Sequence, residues 1–133
     1  MRSRVWIFLW AIGILFPMAF LGRLWPSFGR LFNAVFTAGW THIAMHAFLY
    51  AVLALLLARA IRPASARAVL CLLGLALGIG CLQEGLQWLT LKSEIGWSAS
   101  AFDLLVDTAG TCLGLVVAWR WPSRRPETAG RHK

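Results

Sequence analysis

Four long apolar blocks dominate this sequence, and each is close to the length that spans a lipid bilayer. A helix of about 20 apolar residues crosses the roughly 30 Å of hydrocarbon. Such blocks must be helical, because lipid cannot satisfy free backbone polar groups. The sequence therefore predicts an all-α, four-helix transmembrane bundle over residues 1–120 and a basic, disordered tail at 121–133. The predicted helices are Val5–Leu21, Phe36–Ala58, Val69–Leu89 and Ala99–Trp119.

The composition excludes an ordinary soluble domain. The chain has 133 residues, of which 59% are hydrophobic and only 14% are charged, whereas soluble domains have about 25% charged residues. The first block begins with Arg2 and Arg4, as a signal peptide would. Its apolar run is long for that role, and no A-x-A-like site follows Leu21, so we expect an uncleaved first helix.

The basic residues predict the membrane topology. The formal net charge is +8, and ten of the 13 basic residues fall in the two tails and the middle loop. This bias predicts that both termini are cytoplasmic. The basic tail is then explained by topology and by contact with anionic membrane lipids, and we expect no nucleic-acid partner.

The segment Gly22–Val35 is amphipathic and connects the first two predicted helices. Pro26 and Gly29 weaken a continuous helix. The sequence favours a plain interfacial loop, with a helix in the interface plane or a short re-entrant turn as alternatives.

Two glycine pairs predict how the last two helices pack. Gly74-x-x-x-Gly78 lies in the third predicted helix and Gly110-x-x-x-Gly114 lies in the fourth. Small residues at this spacing let two backbones approach closely in lipid. The simplest interpretation is that these two helices pack tightly against each other.

Ionisable and polar side chains interrupt the apolar blocks near one end of the bundle. Such residues are costly in a bilayer and usually have a role or a partner. At helical spacing they form stripes, and the predicted topology puts the acids and histidines at similar depth in the outer half of the membrane. We expect Gln83 to point away from this cluster. Its members are His42, His46 and Tyr50 in the second helix, Glu84 and Gln87 in the third, and Asp103 and Asp107 in the fourth.

Two interpretations of this cluster are open. It could be a structural hydrogen-bond network between helices, or a binding or catalytic pocket, which we favour. In a pocket, Asp103, Glu84 and His46 are the candidate acid, base and proton shuttle. His42, Tyr50, Gln87 and Asp107 are the candidate binding residues.

A metal site is a weaker hypothesis. Histidine and carboxylate ligands suit zinc or iron. However, H-E-x-x-H is absent, and His42-x-x-x-His46 alone is a weak signal. Cys71, Cys81 and Cys112 include no C-x-x-C pair and are expected to be free apolar thiols. We therefore expect no metal and no cofactor.

Three groups of these residues resemble the VanZ-like family of small multi-pass membrane proteins over residues 36–118. They are His46-x-x-x-Tyr50, Glu84-x-x-Gln87, and Asp103-x-x-x-Asp107 followed by Gly110 and Gly114. The resemblance implies the bacterial inner membrane and a link to resistance to the glycopeptide teicoplanin. The family's molecular activity is poorly defined.

The chain departs from that family at several positions. The family usually has Asp-Lys where this chain has His42 and Ile43, and an arginine where it has Trp97. It usually has Asn where this chain has Asp107. The loss of two cations and the gain of an acid change the charge balance of the pocket.

The sequence thus supports two functions from different classes. The first is a pocket that binds or acts on a lipid headgroup, a lipid-linked envelope precursor or a glycopeptide. The second is a non-enzymatic accessory subunit that packs against a larger membrane protein. Proton or ion passage is a third, weakened because the inner half of the bundle lacks comparable ionisable residues.

Overall fold

The computed structural model describes residues 2–16, 24–36, 39–91 and 97–121. Within these ranges the chain is all helical and contains no strand. Three of the helices are long and apolar enough to cross a membrane. The predicted tail lies outside the described residues beyond Trp121. The helices are α1 (Arg2–Leu15), α2 (Pro26–Phe36), α3 (Gly39–Ile61), α4 (Ala66–Leu91) and α5 (Trp97–Arg120).

The three long helices agree closely with three of the predicted spans, since each boundary moves by only a few residues. α1 is shorter than predicted and ends at Leu15 after 14 residues, or about 21 Å. The rest of the predicted first span, from residue 17 onward, lies outside the described ranges. The all-α class and three apolar helices long enough to span a membrane are thus confirmed, and a fourth crossing stays a prediction.

The predicted interfacial loop is wrong over Pro26–Phe36, which forms α2. Pro26 is the first helical residue, where a missing backbone N–H costs nothing and a fixed φ favours the helix. Gly29 costs only about 1 kcal/mol relative to alanine. Phe28 and Phe32 stack on one side of α2, with ring centroids 6.0 Å apart.

α3 and α5 are parallel neighbours, and α4 connects them by running in the opposite direction. His42 pairs with Asp103 and His46 pairs with Asp107, each pair separated by 61 residues. Two contacts in the same order along both helices require the helices to be parallel. The α3–α5 interface is the most extensive one between described helices, and α1 packs on α3 and α4.

The reversal between α3 and α4 is short and locally determined. Arg62 ends α3 with φ 53°, the left-handed conformation common after a helix C-terminus. The backbone N–H of Ala68 donates to Ser65 Oγ over 3.3 Å, so Ser65 caps the start of α4.

The two helices predicted to pack together, α4 and α5, do contact each other, but the close contact of the α5 glycines is with α3. A Cβ on Gly110 would overlap the backbone of Ala47, and one on Gly114 would overlap that of Ala51. Both alanines are on α3. By contrast, a Cβ on Gly74 or Gly78 of α4 would meet nothing within 4 Å. The predicted packing of Gly74 and Gly78 against α5 is therefore wrong.

The physical reason is that α3 also carries a small-residue stripe. Ala47, Ala51, Ala54 and Ala58 recur at one-turn spacing along it. A glycine stripe packs as well against alanines as against glycines, since both allow close backbone approach. The pairing of ionisable side chains on α3 and α5 then selects between the two choices.

The core lies along the middle of the bundle, and the outer surface is apolar. Large apolar side chains cover the outward faces of α4 and α5, among them Leu70, Leu105 and Trp119, which is 80% exposed. So much exposed apolar surface is typical of helices surrounded by lipid. The buried core consists of Ile14, Tyr50, Leu53, Leu57, Ala58, Leu72 and Ala76.

Candidate functional site

Two His–Asp pairs join α3 to α5 near the start of both helices. His42 Nε2 lies 3.2 and 3.3 Å from the two carboxylate oxygens of Asp103. One turn deeper, His46 Nδ1 lies 2.9 Å from Asp107 Oδ1. The two imidazole rings are neighbours, with centroids 4.4 Å apart. The one-turn spacing of the histidines therefore matches that of the aspartates.

Burial increases sharply from the first pair to the second. The side chain of His42 is 44% exposed and that of Asp103 is 14% exposed. The corresponding values for His46 and Asp107 are 5% and 1%. The outer pair is thus accessible from the surroundings, and the inner pair is enclosed by the helices.

Tyr50 extends the cluster one turn deeper and joins α3 to α4. Its hydroxyl donates to Gln83 Oε1 over 3.0 Å, and both side chains are buried. The sequence prediction that Gln83 points away from the cluster is therefore wrong. Gln83 turns inward because the fully buried Tyr50 hydroxyl needs an acceptor.

Gly80 of α4 provides the space in which these groups meet. A Cβ at Gly80 would lie 3.2 Å from Asp107 Oδ2, 3.3 Å from Tyr50 Oη and 2.9 Å from Leu104 Cδ2. Any larger residue would displace at least one of them. The close approach of α4 to the polar groups thus depends on this glycine.

Glu84 is the third acid of the cluster. It is 8% exposed, and it interacts electrostatically with His46, Asp103 and Asp107. Ser100 of α5 lies close to its carboxyl group. Among the residues that the structure describes, no lysine or arginine forms an ion pair with any of the three acids.

Two buried oxygens in the cluster have no hydrogen-bond partner within the described part of the chain. They are Glu84 Oε1 and Asp107 Oδ2. Leaving a buried acceptor unsatisfied costs about 1–3 kcal/mol, and more for a charged group. The cluster therefore has the capacity to accept at least two further hydrogen bonds or to bind a cation.

The donor atoms also include a set suited to a metal ion. One ligand atom from each of His42, His46 and Asp103 lies within 4.8 Å of the others. Two imidazoles and one carboxylate form a donor set that binds zinc and iron in proteins.

Nearly all the predicted site residues lie in this one region. His42, His46, Tyr50, Glu84, Asp103 and Asp107 form the cluster described above, and Gln87 is partly buried one turn from Glu84. Sequence reasoning missed Gly80 and the alanine stripe of α3, although its small-x-x-x-small spacing is visible in the sequence.

The described structure also contains the three cysteines. Cys71, Cys81 and Cys112 are free and are exposed on the outer surfaces of α4 and α5. Their position is consistent with the predicted role of small apolar residues that face lipid.

Comparison with known proteins gives no family assignment. No protein-family model, curated protein or solved structure matches this chain. The VanZ-like resemblance therefore stays a prediction that rests on the quoted residues.

Proposed function

We propose that this chain is a VanZ-like protein of the bacterial inner membrane whose His/Glu/Asp cluster binds the polar headgroup of a lipid or of a lipid-linked envelope precursor. The observation that carries the proposal is the pair of unsatisfied oxygens, Glu84 Oε1 and Asp107 Oδ2. A network that served only to hold helices together would gain nothing from leaving them without a donor.

The chemistry of the cluster favours a ligand rich in hydrogen-bond donors. Its carboxylates accept hydrogen bonds, and no described arginine or lysine competes for them. Ammonium groups and sugar hydroxyls, which are common in lipid headgroups and envelope precursors, supply such donors. A glycopeptide also carries them, which connects the proposal to teicoplanin resistance.

The depth of the cluster supports access by a headgroup. His42 is three residues from the start of α3 and His46 is seven, which places them about 4.5 and 10.5 Å from the helix end. The half-exposed His42 and the partly exposed Asp103 form the entrance. Headgroups occupy the zone just outside the hydrocarbon, so a lipid reaches this entrance from the side.

The proposed topology has four crossings with both termini in the cytoplasm. The three long helices α3, α4 and α5 account for three crossings, and α1 with the residues that follow it supplies the first. The distribution of basic residues supports this orientation. It places the His/Glu/Asp cluster on the outer side of the membrane.

If the bound ligand reacts, the acid, base and shuttle are Asp103, Glu84 and His46. His46 is oriented for such a role because its Nδ1 is held by Asp107. With the proton on Nδ1, the opposite ring nitrogen would be the one that exchanges a proton with a ligand.

The test separates ligand binding from stability. Asp103→Asn and Glu84→Gln keep the side-chain volumes but remove the charges. We would measure thermal stability in detergent, the lipids retained by the protein in nanodiscs of defined headgroup composition, and cellular teicoplanin susceptibility. Loss of headgroup selectivity and of the phenotype at unchanged stability supports the proposal.

Gly78→Ala is a matched control, because its added methyl meets nothing within 4 Å. It should leave headgroup retention and phenotype unchanged and should not lower the thermal stability. If both acid variants lower stability and leave headgroup retention and phenotype as they were, the cluster is structural and the headgroup proposal is wrong.

The alternative function is that of a non-enzymatic accessory subunit. Gly74 and Gly78 favour it, because they lie on the exposed face of α4 with open space above them. Such a pair lets a helix of a membrane-protein partner approach closely. Gly74→Leu would then abolish co-purification of that partner and leave headgroup retention intact.

A further inference from the structure

The His/Glu/Asp cluster combines neighbouring histidines with an excess of negative charge. Three acids and two histidines meet within a few helical turns, and no described lysine or arginine pairs with the acids. With neutral histidines and ionised acids, the cluster would carry an excess of negative charge. A cation bound there would relieve the repulsion between these acids.

We propose that His42, His46 and Asp103 bind a divalent transition-metal ion, Zn²⁺ in particular, and that Asp107 orients His46 for this task. The inference concerns the same site as the proposed function and rests on it for the ligand named below. The ligand atoms of the three residues lie within 4.8 Å of one another.

The distances between the ligand atoms of the three residues suit Zn²⁺ after small side-chain rotations. Tetrahedral Zn²⁺ with bonds of about 2.0–2.1 Å places neighbouring ligand atoms about 3.3 Å apart. His42 Nε2 and the Asp103 oxygens are already 3.2 and 3.3 Å apart. Only the ligand nitrogen of His46 has to move closer to the other ligand atoms.

His46 and Asp107 form a histidine–carboxylate pair of the kind that proteins use around zinc. His46 Nδ1 lies 2.9 Å from Asp107 Oδ1. With the proton on Nδ1, this nitrogen donates to the carboxylate, and Nε2 would be the nitrogen that binds the metal. A histidine ligand usually donates its other ring N–H to a carboxylate, which fixes the tautomer and the ring orientation. The burial of Asp107, only 1% exposed, makes that orientation rigid.

Three protein ligands leave one position of a tetrahedral ion open. His42 is the most exposed member of the cluster, so a fourth ligand would reach the ion from its side. An anionic oxygen, such as the phosphate of a lipid headgroup, would complete the coordination. The metal would thus allow an anionic headgroup to approach a site whose own side chains repel it.

The test uses the full-length protein in detergent, purified without a histidine tag and treated with chelator. Zn²⁺ binding is measured by calorimetry and by metal analysis after dialysis, and Co²⁺ is used as a spectroscopic probe of tetrahedral coordination. We expect about one Zn²⁺ per chain, as one cluster of three ligands requires. Absence of binding by the unaltered protein overturns the inference.

Variants locate the ion. His42→Ala and Asp103→Asn should each abolish the tetrahedral Co²⁺ spectrum, and neither changes the buried core. Asp107→Asn should keep the spectrum and weaken binding about 10–100-fold, as removal of an outer carboxylate does. Unchanged Zn²⁺ affinity in both His42→Ala and Asp103→Asn would show that the ion binds elsewhere and would contradict the assignment.

Two controls exclude other ligands. His132→Ala removes the remaining histidine of the chain, and alanine at Cys71, Cys81 and Cys112 removes every thiol. The Zn²⁺ affinity of both variants should equal that of the unaltered protein. A loss of Zn²⁺ affinity in either variant would overturn the proposal.

The failure of this inference is distinguishable from that of the proposed function. Headgroup retention in nanodiscs is repeated with chelator present. Retention that persists without metal, in a protein that binds no Zn²⁺, contradicts the metal site and leaves the headgroup function standing. Zn²⁺ binding without headgroup selectivity supports the metal site and contradicts the headgroup function.

Discussion

His46 Nδ1 lies 2.9 Å from Asp107 Oδ1, and both side chains are almost completely enclosed. The pair connects two parallel helices that are not consecutive in the chain. His42 and Asp103, one turn earlier, are also 61 residues apart in the chain. The two pairs therefore fix both the direction and the register of α3 against α5. The candidate site and the main helix interface are therefore built from the same residues.

The inner pair should be strongly coupled. We expect His46→Leu to destabilise the protein by about 3–5 kcal/mol, because it leaves the Asp107 carboxylate buried without a partner. Replacing both residues with leucine should cost less than the sum of the single changes. Reversible unfolding in detergent measures each variant. Additive free energies of unfolding would show that the pair contributes no coupling.

The outer pair provides the matched comparison. His42 is 44% exposed, and exposed ion pairs contribute about 0–1 kcal/mol. His42→Leu should therefore change the free energy of unfolding by no more than that. If His42→Leu lowered the free energy of unfolding as much as His46→Leu, burial would not determine the energetic contribution of the two pairs.

The glycines of α5 and α4 should respond differently to alanine. In Gly114→Ala the new methyl would overlap the backbone of Ala51, so the helices must separate, at a cost of about 1–3 kcal/mol. Gly74→Ala and Gly78→Ala meet open space and should be neutral or slightly stabilising, since alanine favours the helix by about 1 kcal/mol. Thermal unfolding of the three variants checks this order, and the reverse order would contradict the α3–α5 interface.

Gly80 should be sensitive and Gly85 insensitive, although both lie on α4. A methyl at Gly80 would lie 2.9 Å from Leu104 Cδ2 and 3.2 Å from Asp107 Oδ2. We expect Gly80→Ala to cost about 1–3 kcal/mol in unfolding free energy through overpacking. At Gly85 nothing lies within 4 Å, so Gly85→Ala should cost nothing. Equal effects at both positions would show that α4 does not pack closely on the polar cluster.

Trp10 should hold α1 on the bundle. Its Nε1 donates to the backbone oxygen of Leu49 over 2.9 Å. Trp10→Phe removes this donor and should lower the free energy of unfolding by about 0.5–1.5 kcal/mol. Trp6 is 63% exposed, and Trp6→Phe is the control expected to be silent. A silent Trp10→Phe would mean that α1 is held by apolar contact alone.

The number of crossings determines where the two termini lie. With four crossings both termini are cytoplasmic, and a reporter that is active only in the cytoplasm should work at either end. With three crossings the termini lie on opposite sides, and one fusion should be inactive. A reporter within Arg62–Ser65, between α3 and α4, controls for orientation and should match the C-terminal fusion.

The all-α class and the three long apolar helices follow from the sequence alone. Their lengths and compositions leave few alternatives, because a backbone in lipid must satisfy its own hydrogen bonds. The sequence also identified the ionisable cluster, since His42, His46, Asp103 and Asp107 stand out against apolar neighbours. One-turn spacing was enough to place the two histidines on one face of their helix and the two aspartates on one face of theirs.

The tertiary structure decided which faces meet. Small-residue stripes occur on α3, α4 and α5, and spacing within one helix cannot show which stripe packs on which. The match of Gly110 and Gly114 to Ala47 and Ala51 arises from close packing between helices that are distant in the chain. The inward position of Gln83 and the space left by Gly80 likewise depend on partners from other helices, which is why neither could be read from local sequence.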